Sequence, residues 1–88
     1  MKFKESKETL NTFISKNIII KQLGFIESNF EIKNFNYEIK YELLKIFDKE
    51  SKNYIIINMN QIYKIIYKPE KIILNMDNDT TISIEIKR

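Results

Sequence analysis

The sequence predicts an α+β fold, with one N-terminal helix packed on a curled antiparallel sheet of about five strands. Three observations lead there. Apolar residues in segment 6–22 recur at helical spacing, and those from Phe30 onward recur at every second position. The later apolar runs are separated by short polar or proline-containing breaks, too short to hold crossover helices. The chain has 88 residues, which makes one domain, and at that length roughly 60 to 65 per cent of the unfolded surface is buried on folding. The core is therefore thin. A composition of 43% apolar and 12% aromatic residues is nonetheless that of a folded chain.

In "SKETLNTFISKNIIIKQ", residues 6–22, Ser6 is placed to cap a helix and Glu8 lies in the first turn, where the helix dipole favours an acid. Leu10, Phe13, Ile14 and Ile18 fall on one face. Lys16 and Lys21 lie near the far end, and Gly24, the one glycine, is available to end the helix. The weak point is Ile18–Ile20, three β-branched residues that suit a strand as well.

In "NFNYEIKYELLKIFD", residues 34–48, Phe35, Tyr37, Ile39, Tyr41 and Leu43 alternate with Asn34, Asn36, Glu38, Lys40 and Glu42. This predicts a strand with one wet face, ahead of an amphipathic helix using Ile39, Leu43, Ile46 and Phe47. The polar "DKESKN", residues 48–53, reads as a hairpin loop.

"YIIINMNQIYKIIYK", residues 54–68, holds six isoleucines and three tyrosines, with a bend expected near Asn58–Asn60. Pro69 closes that run because it fixes its own φ and donates no ladder hydrogen bond. "KIILNM" is the next strand, "DND" a turn, and "TTISIEIK" a last strand with Ile82, Ile84 and Ile86 on one face. This order of strands and turns resembles an SH3-like barrel in architecture, a resemblance that carries no function.

Parity sorts the 54–68 segment. Ile55, Ile57, Met59, Tyr63, Ile65 and Tyr67 form one continuous face, expected to lie against the helix and against Ile39, Leu74 and Ile84. Tyr54, Ile56, Ile62 and Ile66, together with Ile73, form a second apolar set that a single helix does not reach. Three covers suit it: the interior of a closed barrel, a second copy in a homodimer, or a different protein partner. These five residues are the candidate partner-binding set.

Composition constrains the chemistry. The chain has no Ala, Val, Trp, Cys or His and is rich in Ile, Lys and Asn, the pattern of a low-GC source. The net charge of +3 comes from 15 basic and 12 acidic residues, interspersed, with Arg88 the sole arginine. Abundant lysine is therefore weak evidence for nucleic-acid binding. The alternative nucleic-acid site is "IYKIIYK" with its flank, where Tyr63 and Tyr67 would stack on bases and Lys64, Lys68 and Lys71 would meet phosphates. On a strand, the tyrosines and Lys64 and Lys68 point to opposite sides, so only weak binding is expected.

Without His or Cys, the common metal sites and nucleophile triads lose their residues, and no metal or cofactor is expected. "DNDTTISIE" starts like a calcium loop at Asp77 and Asp79. It then has Ile82 where glycine is needed and Arg88 where a bidentate Glu is needed. Glu38 and Glu42 have Lys40 between them, which suits a charge-balanced wet face better than acid–base catalysis. The absence of cysteine, of an apolar run after "MKFKESKETL" and of any apolar stretch near 18 residues leads to the expectation of a cytoplasmic chain with no membrane span. The function expected is that of a small non-enzymatic protein-interaction module, such as a phage- or mobile-element-encoded inhibitor that occludes a larger host protein. The alternative is a nucleic-acid-binding accessory protein, with a small regulatory enzyme third.

Overall fold

The computed structural model describes residues 3–24, 27–48, 53–77 and 79–87. Helix α1 (Phe3–Phe13) is followed by eight strands: β1 (Ile18–Leu23), β2 (Ser28–Ile32), β3 (Phe35–Lys40), β4 (Leu43–Asp48), β5 (Tyr54–Asn58), β6 (Ile62–Lys68), β7 (Lys71–Met76) and β8 (Thr81–Ile86). A 3-10 turn, Met59–Gln61, joins β5 to β6. The strands form two antiparallel sheets, one of five strands in the order β2-β1-β8-β7-β6 and one of three in the order β3-β4-β5. The chain is a meander whose last strand returns to pair with β1. Its ladder is interrupted between β2 and β3 and between β5 and β6, so it is not a closed barrel.

The α+β class and the antiparallel sheet agree with the sequence, whereas the single sheet of about five strands does not. Three more strands come from two places. The predicted helix stops at Phe13, because Ser15 turns into the left-handed region at φ 69° and the N–H of Lys16 donates to the Phe13 carbonyl at 3.0 Å. Ser6 lies inside the helix instead of capping it, and Ile18–Ile20 open β1, where extended backbone suits their branched side chains. Gly24 ends β1, not the helix; a Cβ there would lie 3.2 Å from Thr80 Oγ1 and 3.3 Å from Thr80 Cα.

The third additional strand appears because segment 34–48 folds back on itself. Lys40 pairs with Leu43 across a two-residue loop, Tyr41–Glu42, with Tyr41 at φ 57°. A two-residue loop exchanges the parity of the faces: Phe35, Tyr37 and Ile39 point inward before it, and Leu44 and Ile46 after it. Neither residue is a usual turn former, so the alternation runs on through the turn to Leu43 in the sequence. Of the expected "DKESKN" loop and "DND" turn, residues 49–52 and Asn78 lie outside the described residues. Asp48 and Asn53, which flank the first, are joined by a 3.3 Å backbone hydrogen bond.

A bulge at Tyr63 makes a second parity change. Ile62 pairs with Met76 and Lys64 with Asn75, so Tyr63 is the extra residue. Ile62 therefore enters the core while Tyr63 is 70% exposed, reversing both predicted placements. Beyond the bulge Ile65 and Tyr67 pack against the core as expected, as do Ile39, Leu74 and Ile84.

The core lies between the sheets. Ile18, Ile20, Ile72, Leu74 and Ile84 of the larger sheet face Phe35, Leu44, Ile46 and Ile57 of the smaller one, all buried. Between them is a void of about 20 Å³ bordered by side chains such as Leu10, Ile39, Leu44 and Leu74. It holds about one water by volume and offers it no polar partner, so it is expected to stay dry.

Both interruptions of the ladder are bridged by backbone hydrogen bonds. At the first, Phe35 accepts from the Ser15 N–H and donates to the Lys16 carbonyl, each at 2.9 Å. The Phe35 ring meets Phe13 edge-on at 6.2 Å between centroids, and the Tyr37 hydroxyl donates to Asn11 Oδ1 at 2.6 Å. Burial pushes the pKa of that phenol up. At the second, the Met59 N–H donates to the Glu42 carbonyl and the Asp77 N–H to the Gln61 carbonyl, both at 2.8 Å. The 3-10 turn thus holds the tip of one sheet against the β7–β8 turn of the other.

Phe35 combines complete burial with the ring contact that fixes the helix. Phe35→Ala is expected to cost about 3–5 kcal/mol in urea unfolding, whereas Phe47→Ala, on the outer face of the same sheet, costs about 1 kcal/mol or less. Equal losses would show that the sheet–sheet interface is not where stability resides.

Candidate functional site

Each sheet has a second face turned away from the core, and the two differ. On the larger sheet, ladder register aligns three rows: Lys64–Asn75–Thr81–Leu23, Ile66–Ile73–Ser83–Lys21–Asn29, and Lys68–Lys71–Glu85–Ile19–Glu31. Charge pairing runs across this face. Lys21 Nζ lies 2.9 Å and Lys71 Nζ 3.7 Å from the Glu85 carboxylate, and Lys87 Nζ lies 3.1 Å from Glu31. The hydrogen bond from Lys21, aided by its charge and that of Lys71, outweighs desolvation and holds the Glu85 carboxyl below its ordinary pKa.

The outer face of the smaller sheet is built differently. Its rows are Asn36–Phe47–Tyr54, Glu38–Lys45–Ile56 and Lys40–Leu43–Asn58. Tyr54, Ile56 and Leu43 are exposed, Ile56 at 51%, and Tyr41 at the tip of the hairpin is 87% exposed. These are four of the six large apolar side chains exposed among the described residues, the others being Leu23 and Tyr63. Lys45 lies at the centre, with its ammonium 5.1 Å from the Tyr54 ring centroid and 5.6 Å from that of Phe47. The cation thus sits over two aromatic faces, within cation–π range.

The predicted partner-binding residues are distributed over three environments. Tyr54 and Ile56 adjoin on the exposed face of the smaller sheet. Ile62 is in the core, turned inward by the bulge. Ile66 and Ile73 form a cross-strand pair on the outer face of the larger sheet, half-buried and flanked by Lys64, Lys68 and Lys71. The single second face inferred from parity is therefore corrected, because bulge and hairpin each shift parity and the strands divide between two sheets.

The alternative set is also divided. Lys64, Lys68 and Lys71 share the outer face of the larger sheet, Tyr67 packs inward, and Tyr63 projects at the bulge. Tyr63 and Tyr67 thus offer no common stacking surface beside the lysines. Asp77 and Asp79 are exposed, and Arg88 lies outside the described residues.

Sequence reasoning missed Tyr41, Leu43, Lys45 and Phe47 as surface residues. The available signal was the local run "YELL", in which Leu44 follows Leu43 and breaks the alternation; a two-residue turn at Tyr41–Glu42 would place Leu43 outward and Leu44 inward.

No protein-family model matches this chain, and neither a curated protein nor a solved structure matches it. Among the described residues, no helix is long and apolar enough to cross a membrane.

The lowered pKa of Glu85 has a definite sign. Its ionised form is favoured by folding, so its stabilisation is present above the ordinary carboxyl range and is lost as pH falls through the lowered value. The melting temperature of Glu85→Gln is expected to lie below that of the parent at pH 7 and to converge with it near pH 3. A gap that stays constant over that range would assign Glu85 a role other than the Lys21 ion pair.

Proposed function

We propose that this protein is a small non-enzymatic interaction module that engages a larger protein through the outer face of β4 and β5 and the Tyr41 tip. The observation that carries this reading is the apolar, aromatic-rich face left uncovered on the smaller sheet. Contiguous exposed apolar surface on a small domain is typical of protein-binding sites, and aromatic side chains are enriched at the centres of such interfaces. Leu43, Tyr54 and Ile56 are about half exposed, so burying what remains would contribute roughly 1 kcal/mol each before the costs of association.

The Tyr41 backbone supports the same reading. A bulky residue at φ 57° is strained, and glycine or asparagine would relieve the strain at no packing cost, since the ring is exposed. A protein-contacting role gives the ring a reason to be there. The 3-10 turn steadies the loop, as the Asn60 side-chain amide donates to the Glu42 carboxylate and the Asn60 N–H donates to Asn58 Oδ1 at 3.0 Å. The outer face of the larger sheet, by contrast, pairs its acids with its lysines.

The test is affinity capture from extracts of the native cells, with protein and nucleic acid both identified. The double variant Tyr41→Ser, Leu43→Ser is expected to stay folded and to lose about tenfold or more in partner retention, the loss of two apolar contacts. Ile66→Asp, placed among lysines on the other sheet, is expected to keep the partner and to melt within a few degrees of the parent. Undiminished capture by the double variant, or recovery mainly of nucleic acid in a complex abolished by Lys64 and Lys68 charge reversal, would overturn the proposal.

A further inference from the structure

The four sheet edges are not alike. β2 carries Glu31, ion-paired with Lys87. β3 is joined through Phe35 to the turn after α1 and carries Glu38 and Lys40. β6 has the Tyr63 bulge, Lys64, Lys68 and the following Pro69. Charges, bulges, prolines and covering segments are the usual means of keeping an edge strand from pairing with another chain. β5, "YIIIN", has none of them along its length: no charge, no proline, no bulge in its pairing with β4.

The ladder also fixes which backbone groups β5 leaves free. Asp48 bonds to Asn53 and Met59 to Glu42 on the β4 side, so the odd-numbered residues between them face β4 and the even-numbered ones face outward. Among the described residues, the outward N–H and C=O groups are those of Tyr54 and Ile56 with the N–H of Asn58, whose carbonyl starts the 3-10 turn. These positions are centred on Ile56.

We propose that β5 pairs antiparallel with β5 of a second copy of this chain about a two-fold axis that passes midway between the two Ile56 residues. Ile56 then meets Ile56 of the second copy, and Tyr54 meets its Asn58, in both directions. Two bonds at the Ile56 pair and one at each flanking pair, from the Asn58 N–H to the Tyr54 carbonyl, give about four hydrogen bonds, and the smaller sheets fuse into one of six strands. The uncharged strand fits its own copy without a like-charge contact. The nearest cations across the axis, the two Lys45, stay three strand spacings apart, about 14 Å, beyond the Debye length at physiological salt. The outer faces join into one apolar surface twice as wide, with a Tyr41 tip at each end.

This pairing uses the backbone edge of β5, whereas the functional reading above uses the side chains of the β4–β5 outer face and the Tyr41 tip and is tested at Tyr41 and Leu43, which the pairing does not use. Each stands or falls without the other.

The experiment is sedimentation equilibrium over a wide concentration range. The parent is expected to rise from the 10.7 kDa of one chain toward twice that mass. Ile56→Lys and Ile56→Glu alone are each expected to weaken association about tenfold or more, because like charges would stand directly opposite across the axis. An equimolar mixture of the two is expected to recover the two-chain species. The chain has no cysteine, so single-cysteine variants give a second measurement at half-exposed positions. On mild oxidation Ile56→Cys is expected to cross-link and Tyr54→Cys is not, because directly paired Cα atoms lie about 5.5 Å apart, within disulfide range. A parent that stays at one-chain mass, a Lys/Glu mixture that stays monomeric, or cross-linking at position 54 equal to that at 56 would each overturn the proposal.

Discussion

Mutual burial of two sheets is the constraint on which the rest of this molecule depends. Each sheet carries an apolar face, and helix α1 is too short to cover either one alone. Ile72, Leu74 and Ile84 are kept from water by Phe35, Ile46 and Ile57, and the reverse. That arrangement requires the sheets to be held in register where the ladder stops, and backbone hydrogen bonds at Phe35 and at the 3-10 turn do so. The helix acts mainly as a fastening at one of these points, through Phe13 and the Asn11–Tyr37 bond.

Once the inner faces are committed to each other, the outer faces are the surface on which function must be sought. The larger sheet spends its outer positions on paired charges and on isoleucines flanked by lysines, an arrangement that water tolerates. The smaller sheet confines its charges to Glu38, Lys40 and Lys45 and leaves apolar side chains exposed beside them. Its β5 strand has Asn58 as its only polar side chain, and β4 adds Leu43 and Phe47 beside Lys45. The contrast within one small domain is more informative than either face alone, since a general excess of isoleucine would affect both sheets equally.

The hairpin tip and the β5 edge both depart from what stability alone would select. Tyrosine in a left-handed turn position costs conformational energy, and an unprotected edge strand invites association. Both features border the same exposed face and are tied together through Glu42, Met59 and Asn60. The proposed partner contact would account for the first departure and the proposed pairing of β5 for the second.

The fold class, the strands β5–β8 and the antiparallel run from β6 to β8 were legible in the residues alone. Runs of β-branched and aromatic residues, with Pro69 and the acidic turn as punctuation, specify extended segments locally. The sequence also determined that Leu74, Ile84 and Ile39 would face the core. What it did not determine was parity. Parity is a relative quantity, and the bulge at Tyr63 and the two-residue turn at Tyr41–Glu42 each shift it by one without a glycine or proline to announce the shift. It also did not determine that Ile18–Ile20 would join β8, since the choice between helix and strand there is made by a partner strand some sixty residues away. Only the tertiary structure decided that Ile62 is core, that Ile66 and Ile73 belong to one outer face, and that Tyr54 and Ile56 belong to another. The physical reason is that the division into two sheets depends on long-range pairing and mutual burial, neither of which leaves a periodic trace in the chain.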